Sequence, residues 1–245
     1  MPFFDEQRFT SVFTSAFRAN GLSSVLSKET VHTFYQLTER MLQVNAQFNL
    51  TAITELERIV YHHYVDCAIP AVRLPQGARV IDVGCGAGFP SLPIAILRPD
   101  VRIHSIDSTA KKVRYVEETA AELSLSNLTC AVARAEDLSK TEAREAYDIA
   151  IARAVADLCV LCELCLPFVR VGGRMIAMKG KQAAFELKDS KKAIAVLGGR
   201  ASPIEQICIN GSDEPICHPL VFIDKIGRTP SAYPRPYTQI SKKPL

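Results

Sequence analysis

One stretch limits this chain more than any other: an apolar run ending in an acid and three alternating glycines, Val80-Ile81-Asp82-Val83-Gly84-Cys85-Gly86-Ala87-Gly88-Phe89-Pro90. A buried strand ends there, turns sharply and feeds a helix, because glycine lets the backbone approach a ligand with no side chain in the way. A dinucleotide-binding fingerprint needs glycine where Phe89 stands, which weakens a pyrophosphate reading. A second apolar run closes on Ser105-Ile106-Asp107, 23 residues after Gly84. A carboxylate at that strand end can accept hydrogen bonds from both hydroxyls of a ribose. The competing reading is a glycine-rich turn that serves packing alone.

The rest of the chain supplies the setting for such a loop. Phe9, Val12, Phe13, Ala16 and Phe17 recur at helical spacing and predict a helix ending near Asn20-Gly21. A second helix starts after Ser27 as N-cap, and a third runs from about Thr54 to Val72. From Gly77 short apolar runs alternate with helical segments, the mark of a parallel sheet. The expected strands are Arg79–Val83, Arg102–Asp107, Leu128–Ala133, Asp148–Ala152, Arg174–Lys179, Gln206–Ile209 and Leu220–Asp224. The expected helices among them are Leu92–Leu97, Ala110–Leu125, Ala156–Phe168 and Ala183–Leu197. The last connection, through Pro215 and Pro219, is too short and turn-rich for a helix, so the final strand should enter antiparallel. After Lys225 the chain reads as an extended basic tail.

With 245 residues, 48% of them hydrophobic and 22% charged, the chain can bury a substantial core, which excludes disorder. Charge is unevenly placed. Residues 1–169 hold 16 Lys/Arg against 20 Asp/Glu, whereas residues 170–245 hold 13 against 6. A basic end on an acidic body suggests a polyanion such as nucleic acid, although surplus lysine is also an ordinary aid to solubility. Met1-Pro2-Phe3-Phe4-Asp5-Glu6 lacks the basic and apolar regions of a secretory signal, so a cytoplasmic protein with no membrane partner is expected. In that reducing compartment the eight cysteines are expected as thiols rather than disulfides. Cys159, Cys162 and Cys165 lack the further ligands that an iron–sulfur cluster or zinc needs, and fall on one helix face as small hydrophobes; no metal is expected.

The D-x-G-x-G-x-G order resembles motif I of the S-adenosylmethionine-dependent methyltransferases of the Rossmann-like class. The resemblance implies that the loop, with Gly84, Gly86, Gly88 and Phe89, wraps the methionine end of that cofactor and that Asp107 holds its ribose. Arg134-Ala135-Glu136-Asp137 follows the third strand, where such folds carry an adenine-binding acidic loop; Ala135 and Glu136 are the expected contacts, and a helix cap is the alternative for Glu136. The fourth strand ends Ala150-Ile151-Ala152-Arg153-Ala154-Val155, without the Asn/Asp-Pro-Pro-Tyr/Phe motif of amino-group methylation.

Several further pieces together resemble the RsmG (GidB) family, the guanine-N7 methyltransferases of bacterial 16S rRNA. They are Asn49-Leu50-Thr51-Ala52-Ile53, His63-Tyr64-Val65-Asp66, Asp82–Pro93, Asp107-Ser108 with Lys111-Lys112-Val113-Arg114, Ala152-Arg153-Ala154, Met178-Lys179-Gly180 and Tyr233-Pro234-Arg235, ending in Lys242-Lys243-Pro244-Leu245. The tail departs from the family's Arg-x-Gly-Thr-Pro and reads Arg235-Pro236-Tyr237-Thr238-Gln239-Ile240. The resemblance implies transfer of methyl to N7 of a guanine in 16S rRNA or the small subunit, with no proton-transferring residue. It places Arg153 beside cofactor and base, with an ion pair to Asp157 as the alternative, and Lys179, Arg235, Lys242 and Lys243 on RNA. His63 and Asp66 read as a catalytic pair or, preferably, as groups that orient one another and cap the N-terminal helices; Asn49 and Thr51 read as a turn above the cleft. Lys111, Lys112 and Arg114 read as RNA contacts or a solvated face. The expectation is thus an α/β chain, a Rossmann-like methyltransferase with a seven-stranded, mostly parallel sheet. It comprises a helical subdomain over 1–74, the methyltransferase domain over 75–226 and a basic tail over 227–245, acting as a monomer. The rivals are a small-molecule methyltransferase and an RNA-binding module that holds the cofactor without turnover.

Overall fold

The apolar runs assemble into one mixed sheet in the computed structural model, which describes residues 3–212 and 216–245. Met1, Pro2 and Pro215 lie outside the described residues. Five strands run parallel: β1 (Arg79–Val83), β2 (Arg102–Asp107), β3 (Leu128–Val132), β4 (Tyr147–Arg153) and β5 (Val169–Met178). Their order is β3-β2-β1-β4-β5, so the chain reverses its direction of travel between β1 and β4. At such a switch point the loops part and leave a crevice at the strand ends.

The sheet is completed by β6 (Gly199–Ala201), β7 (Glu205–Ile209) and β8 (Ile216–Lys225). As expected, β8 enters antiparallel beside β5. The strand count differs from expectation, because the described residues form eight strands rather than seven. The additional β6 has only three residues, too few to show a period, and shares the outer edge of β8 with β7. Cys208 and Cys217 face each other across β7 and β8, with Cα atoms 4.1 Å apart, and form a disulfide where thiols were expected. Strand register, which spacing alone does not reveal, brings them opposite.

Both faces of the sheet are covered, and the strands show it by burying consecutive residues. Val80, Ile103, Ile149, Ile151, Ile176 and Phe222 face a core shared with the N-terminal helices. Ile81, Ile106, Ala150, Ala152, Ala177 and Ile223 face the second core. The N-terminal layer contains α1 (Glu6–Ala19), capped by Asp5, and α2 (Lys28–Asn45), whose first turn donates from Thr30 N to Ser27 Oγ. Phe9, Phe13, Phe17 and Phe34 of these helices stack into one aromatic cluster with Tyr64. Next come α3 (Leu56–Ile59), a π-helical stretch over Val60–Val65 and α4 (Asp66–Ala71), together matching the expected third helix.

Between the strands lie α5 (Ser91–Leu97), α6 (Ala110–Glu122), α7 (Ala135–Leu138), α8 (Leu158–Cys165), α9 (Ala183–Asp189) and α10 (Lys191–Val196). The helix expected over Ala183–Leu197 breaks at Ser190, whose hydroxyl donates back to the Glu186 carbonyl. Cys162 and Cys165 are buried in the second core, where burial holds their thiols protonated, and Cys159 Sγ donates to the Leu245 carbonyl.

The C-terminal segment is not an extended tail. Lys225 is fully buried, its ammonium bonded to Leu166 O and Thr229 Oγ1, and Arg144 donates to the carbonyls of Thr229, Pro230 and Tyr233. These bonds turn the chain back onto the second core, where α11 (Tyr237–Lys242) packs on α8 through buried Ile240. Arg235, expected on RNA, instead grips Glu163, with Nε–Oε1 at 2.9 Å and Nη2–Oε2 at 2.6 Å. Its main-chain N–H donates to the same carboxylate. The sequence marks Arg235 only as a cation; its partner lies 72 residues away on the buried side of α8. Because Glu163 is 1% exposed, Arg235→Ala strands a buried charge and should cost about 3 kcal/mol of unfolding free energy. Urea denaturation checks this, and an unchanged midpoint would remove the pair from the fold's supports.

Candidate active site

The glycine turn is tied to the end of β2 by its own backbone. Gly84 N and Cys85 N both donate to Ile106 O, at 2.8 and 3.0 Å. Gly86 N donates to Asp107 Oδ2 at 3.1 Å, while Thr109 N donates to Oδ1 at 2.9 Å. At two positions any side chain would be strained. At Gly84, φ is +77° and a Cβ would lie 2.8 Å from Val155 Cγ2; at Gly88, φ is +83° and a Cβ would lie 2.4 Å from Leu92 Cδ1. The turn thereby presents Asp107 at the mouth of the crevice, with two of its acceptor sites engaged by backbone and others free.

A cleft of about 260 Å³ opens there, lined by Gly84, Asp107, Ala135, Glu136, Val155 and Tyr237 among others. Of the eight expected cofactor residues, Gly84, Asp107, Ala135 and Glu136 line it, whereas Gly86, Gly88, Phe89 and Arg153 do not. Gly86 and Gly88 shape the turn behind it. Glu136 is buried and holds Arg134 Nε at 2.6 Å, so it is more than a helix cap. Beneath the turn Asp82 is fully buried; Ser91 Oγ donates to one oxygen at 2.5 Å, and among the described residues the other has no hydrogen-bond partner. Burial raises its pKa to about 6, against the opposing pull of Ser91 and the Arg153 charge. Acidic groups at two strand ends and an apolar wall suit a cationic nucleoside.

Beside the cleft, Arg153 ties the end of β4 to the N-terminal layer. Its guanidinium donates to His62 O at 3.1 Å and to His63 Nδ1 at 3.3 Å, and pairs with Asp66 Oδ2 at 3.4 Å. It also lies 5.1 Å from the Phe89 ring centroid. The expected alternative partner, Asp157, is not the one it meets. The residue after it, Ala154, has φ of +53°, a strained turn for a side chain with a Cβ, and this bends Val155 over Gly84. Phe89, expected against the cofactor, is instead buried and stacked on His63 at 4.5 Å.

A guanidinium only donates, so His63 Nδ1 is the acceptor and Nε2–H donates to Thr51 Oγ1 at 3.1 Å. Thr51 is held in turn by Asn45 Oδ1, which accepts from Leu50 N and Thr51 N. His63 and Asp66 thus meet on Arg153 rather than orienting each other. Both nitrogens of His63 and one oxygen of Asp66 are thus engaged, and the cluster holds Arg153 in place.

The expected RNA cations divide. Lys179 is buried, donating to Ala156 O at 2.7 Å and pairing with Glu186 at 2.7 Å, while Glu186 also accepts from Leu158 N. It therefore shapes the loop that floors the cleft and is not offered to a ligand. Lys242 and Lys243 are exposed at the end of α11. Of the α6 cations, Lys111 lies 3.9 Å over the Phe48 ring, and Lys112 and Arg114 are exposed. The reading from sequence missed Arg134, Val155 and Tyr237 as cleft residues. Val155 stands in the fourth-strand loop already under scrutiny, but nothing in the spacing of the tail points to Tyr237. Among the described residues no group of three or more His, Cys, Asp or Glu could hold a metal, and no helix is long and apolar enough to cross a membrane.

Burial, with the Arg153 charge, pushes the His63 pKa down to about 3. An unfolded His titrates near about 6.5. Between these values the unfolded chain binds the extra proton, so the stability contributed by neutral His63 is present above the upper value and lost as pH falls. Asp82, raised by burial, works in the opposite sense. The difference between wild type and His63→Gln isolates His63. The wild-type advantage in unfolding free energy should shrink by about 2 kcal/mol from pH 7 to pH 5. An advantage independent of pH would contradict the neutral assignment.

Known proteins extend this geometry. The family model for rRNA small subunit methyltransferase G matches residues 30–214. The ribosomal RNA small subunit methyltransferase G of Clostridium perfringens strain SM101 is 48% identical over 204 residues, covering 82% of this chain and 84% of the relative. That of Alkaliphilus oremlandii is 40% identical over 230 residues, covering 93% and 95%. Among solved structures, a SAM-dependent O-methyltransferase from Thermotoga maritima has a TM-score of 0.51 at 15% identity, covering 80% of this chain and 73% of that one. A precorrin-6y C5,15-methyltransferase from Geobacter metallireducens scores 0.52 at 13% identity, covering 74% and 95%. The two structures share the fold, and the match over most of the sequence settles the kinship: the chain belongs to the rRNA small subunit methyltransferase G family.

Proposed function

We propose that the chain transfers a methyl group from S-adenosylmethionine to N7 of a guanine in small-subunit rRNA. The observation that carries the reading is the cleft at the switch point, with Asp107 at its mouth and Asp82 beneath its glycine turn. The carboxylates of Asp107 and Glu136 in the wall of the cleft suit a ligand that brings positive charge and a ribose diol. S-adenosylmethionine supplies a methyl group on a sulfonium, which the in-plane N7 lone pair can displace directly, the N–C bond forming as the S–C bond breaks and its electron pair returns to sulfur.

Guanine N7 carries no proton, so the step needs no general base. Catalysis then rests on alignment and electrostatic fit. Asp107 orients the ribose, the Gly84 turn and Val155 confine the methionine end, and Arg153, held by His62, His63 and Asp66, fixes the β4 loop beside which the base would lie. Lys242 and Lys243 supply exposed charge for the rRNA backbone.

The test is chemical. With labelled S-adenosylmethionine, small-subunit rRNA should become cleavable by reduction and aniline at one guanine; label on an exocyclic amine or a ribose would overturn the N7 assignment. Asp107→Ala should lower cofactor affinity about tenfold through lost charged hydrogen bonds, read by calorimetry. Replacing Lys242 and Lys243 by Ala should flatten the dependence of RNA affinity on salt by up to two contacts, and an unaltered slope would take both off the RNA-contact surface.

A further inference from the structure

One wall of the cleft comes from a place that the strand-end loops do not explain. Gly84, Asp107, Ala135, Glu136 and Val155 belong to the ends of β1 to β4, but Tyr237 arrives from the C-terminal helix. Its position is held from two sides. Arg134, bonded to Glu136 across the cleft floor, lies 5.0 Å from the Tyr237 ring centroid. Behind it α11 is anchored on α8 by buried Ile240 and by the Arg235–Glu163 pair, while Leu164 of α8 lines the same cleft. α7 also packs on α8, so α7 and α11 flank one apolar slot closed by Ala156 and Leu164. Tyr237 keeps 39% of its surface exposed, which core packing does not require of a ring so placed.

We propose that Tyr237 stacks on the purine of the bound cofactor, making the docked C-terminal helix part of the cofactor site. The inference rests on the cofactor reading above. A ring at the edge of an apolar slot offers a planar partner to a base, and the Arg134 cation steadies it without filling the slot. Because the tail supplies one wall, cofactor binding and docking of α11 favour each other, as linkage requires. Lys242 and Lys243 end the same helix, so an RNA phosphate that engages them acts on an element already bearing on the cofactor.

The chain has no tryptophan, which makes the test direct. Tyr237→Trp introduces a single tryptophan that can be excited apart from the tyrosines, and S-adenosylhomocysteine should quench it along a curve that matches its calorimetric binding. Tyr237→Ala should bind S-adenosylhomocysteine about tenfold more weakly than wild type, and Tyr237→Phe should bind it equally well. The ligand should also slow tryptic cleavage of the tail in wild type more than in Tyr237→Ala. Equal unliganded melting temperatures establish that the variants are folded; should Tyr237→Ala melt lower, the Tyr237→Trp quench still decides. If wild type binds and Tyr237→Ala binds as tightly, or the Trp is not quenched, Tyr237 does not touch the purine and the cofactor reading survives. Failure of wild type itself to bind S-adenosylhomocysteine overturns both.

Discussion

A single guanidinium ties the two layers of this molecule together at the point where chemistry is placed. Arg153 ends the fourth strand, and every group that receives it comes from the helical layer or from the glycine turn: His62 O, His63 Nδ1, Asp66 and the Phe89 ring. A charge so enclosed is tolerable only when fully met, and removing one partner from such a cluster costs several kcal/mol because the others are left uncompensated. The cluster therefore fixes more than itself. It sets the tautomer of His63, through His63 the position of Thr51, and through Phe89 the far end of the turn whose Gly86 N–H holds Asp107 at the end of β2.

The aromatic cluster reinforces that arrangement from behind. Tyr64 contacts Phe13 and Phe34 on one side and Phe89 on the other, and its hydroxyl bonds Thr38 in the same buried space. The N-terminal helices are thus continuous in packing with the glycine turn, and the first core runs unbroken from Phe9 to Phe222. The opposite core is organised by the C-terminal segment. Glu163 of α8 receives Arg235, Lys225 donates to Thr229, and Arg144 gathers three carbonyls, which together hold the C-terminal segment on this face. Each end of the chain closes one face of the sheet.

This arrangement explains which parts of the site are legible in the residues. Gly84, Gly88 and Asp107 are local requirements: a turn that must take positive φ beneath Val155 or Leu92, and an acid at a strand end, are written within a few positions of one another. Lys179 and Arg235 are the opposite case. As cations in a basic region they read as ligands for RNA, and both turn inward, because Glu186 and Glu163 stand on helices whose distance from them is set only by folding. Cys208 and Cys217 show the same limit, since a register between two strands decides that they meet.

The sequence by itself determined the alternation of helices with a mostly parallel sheet, the antiparallel last strand, the glycine turn with its two acidic strand ends and the absence of an Asn/Asp-Pro-Pro-Tyr/Phe motif after β4. Each of these follows from spacing at a period of two or 3.6 residues or from a local backbone demand. Only the tertiary structure decided that Arg153 answers to Asp66 rather than Asp157, that Phe89 stacks on His63, and that Tyr237 reaches the cleft. Those outcomes join residues tens of positions apart. A pairing of that kind is chosen by the burial of charge and apolar surface over the whole fold, and no local period records it.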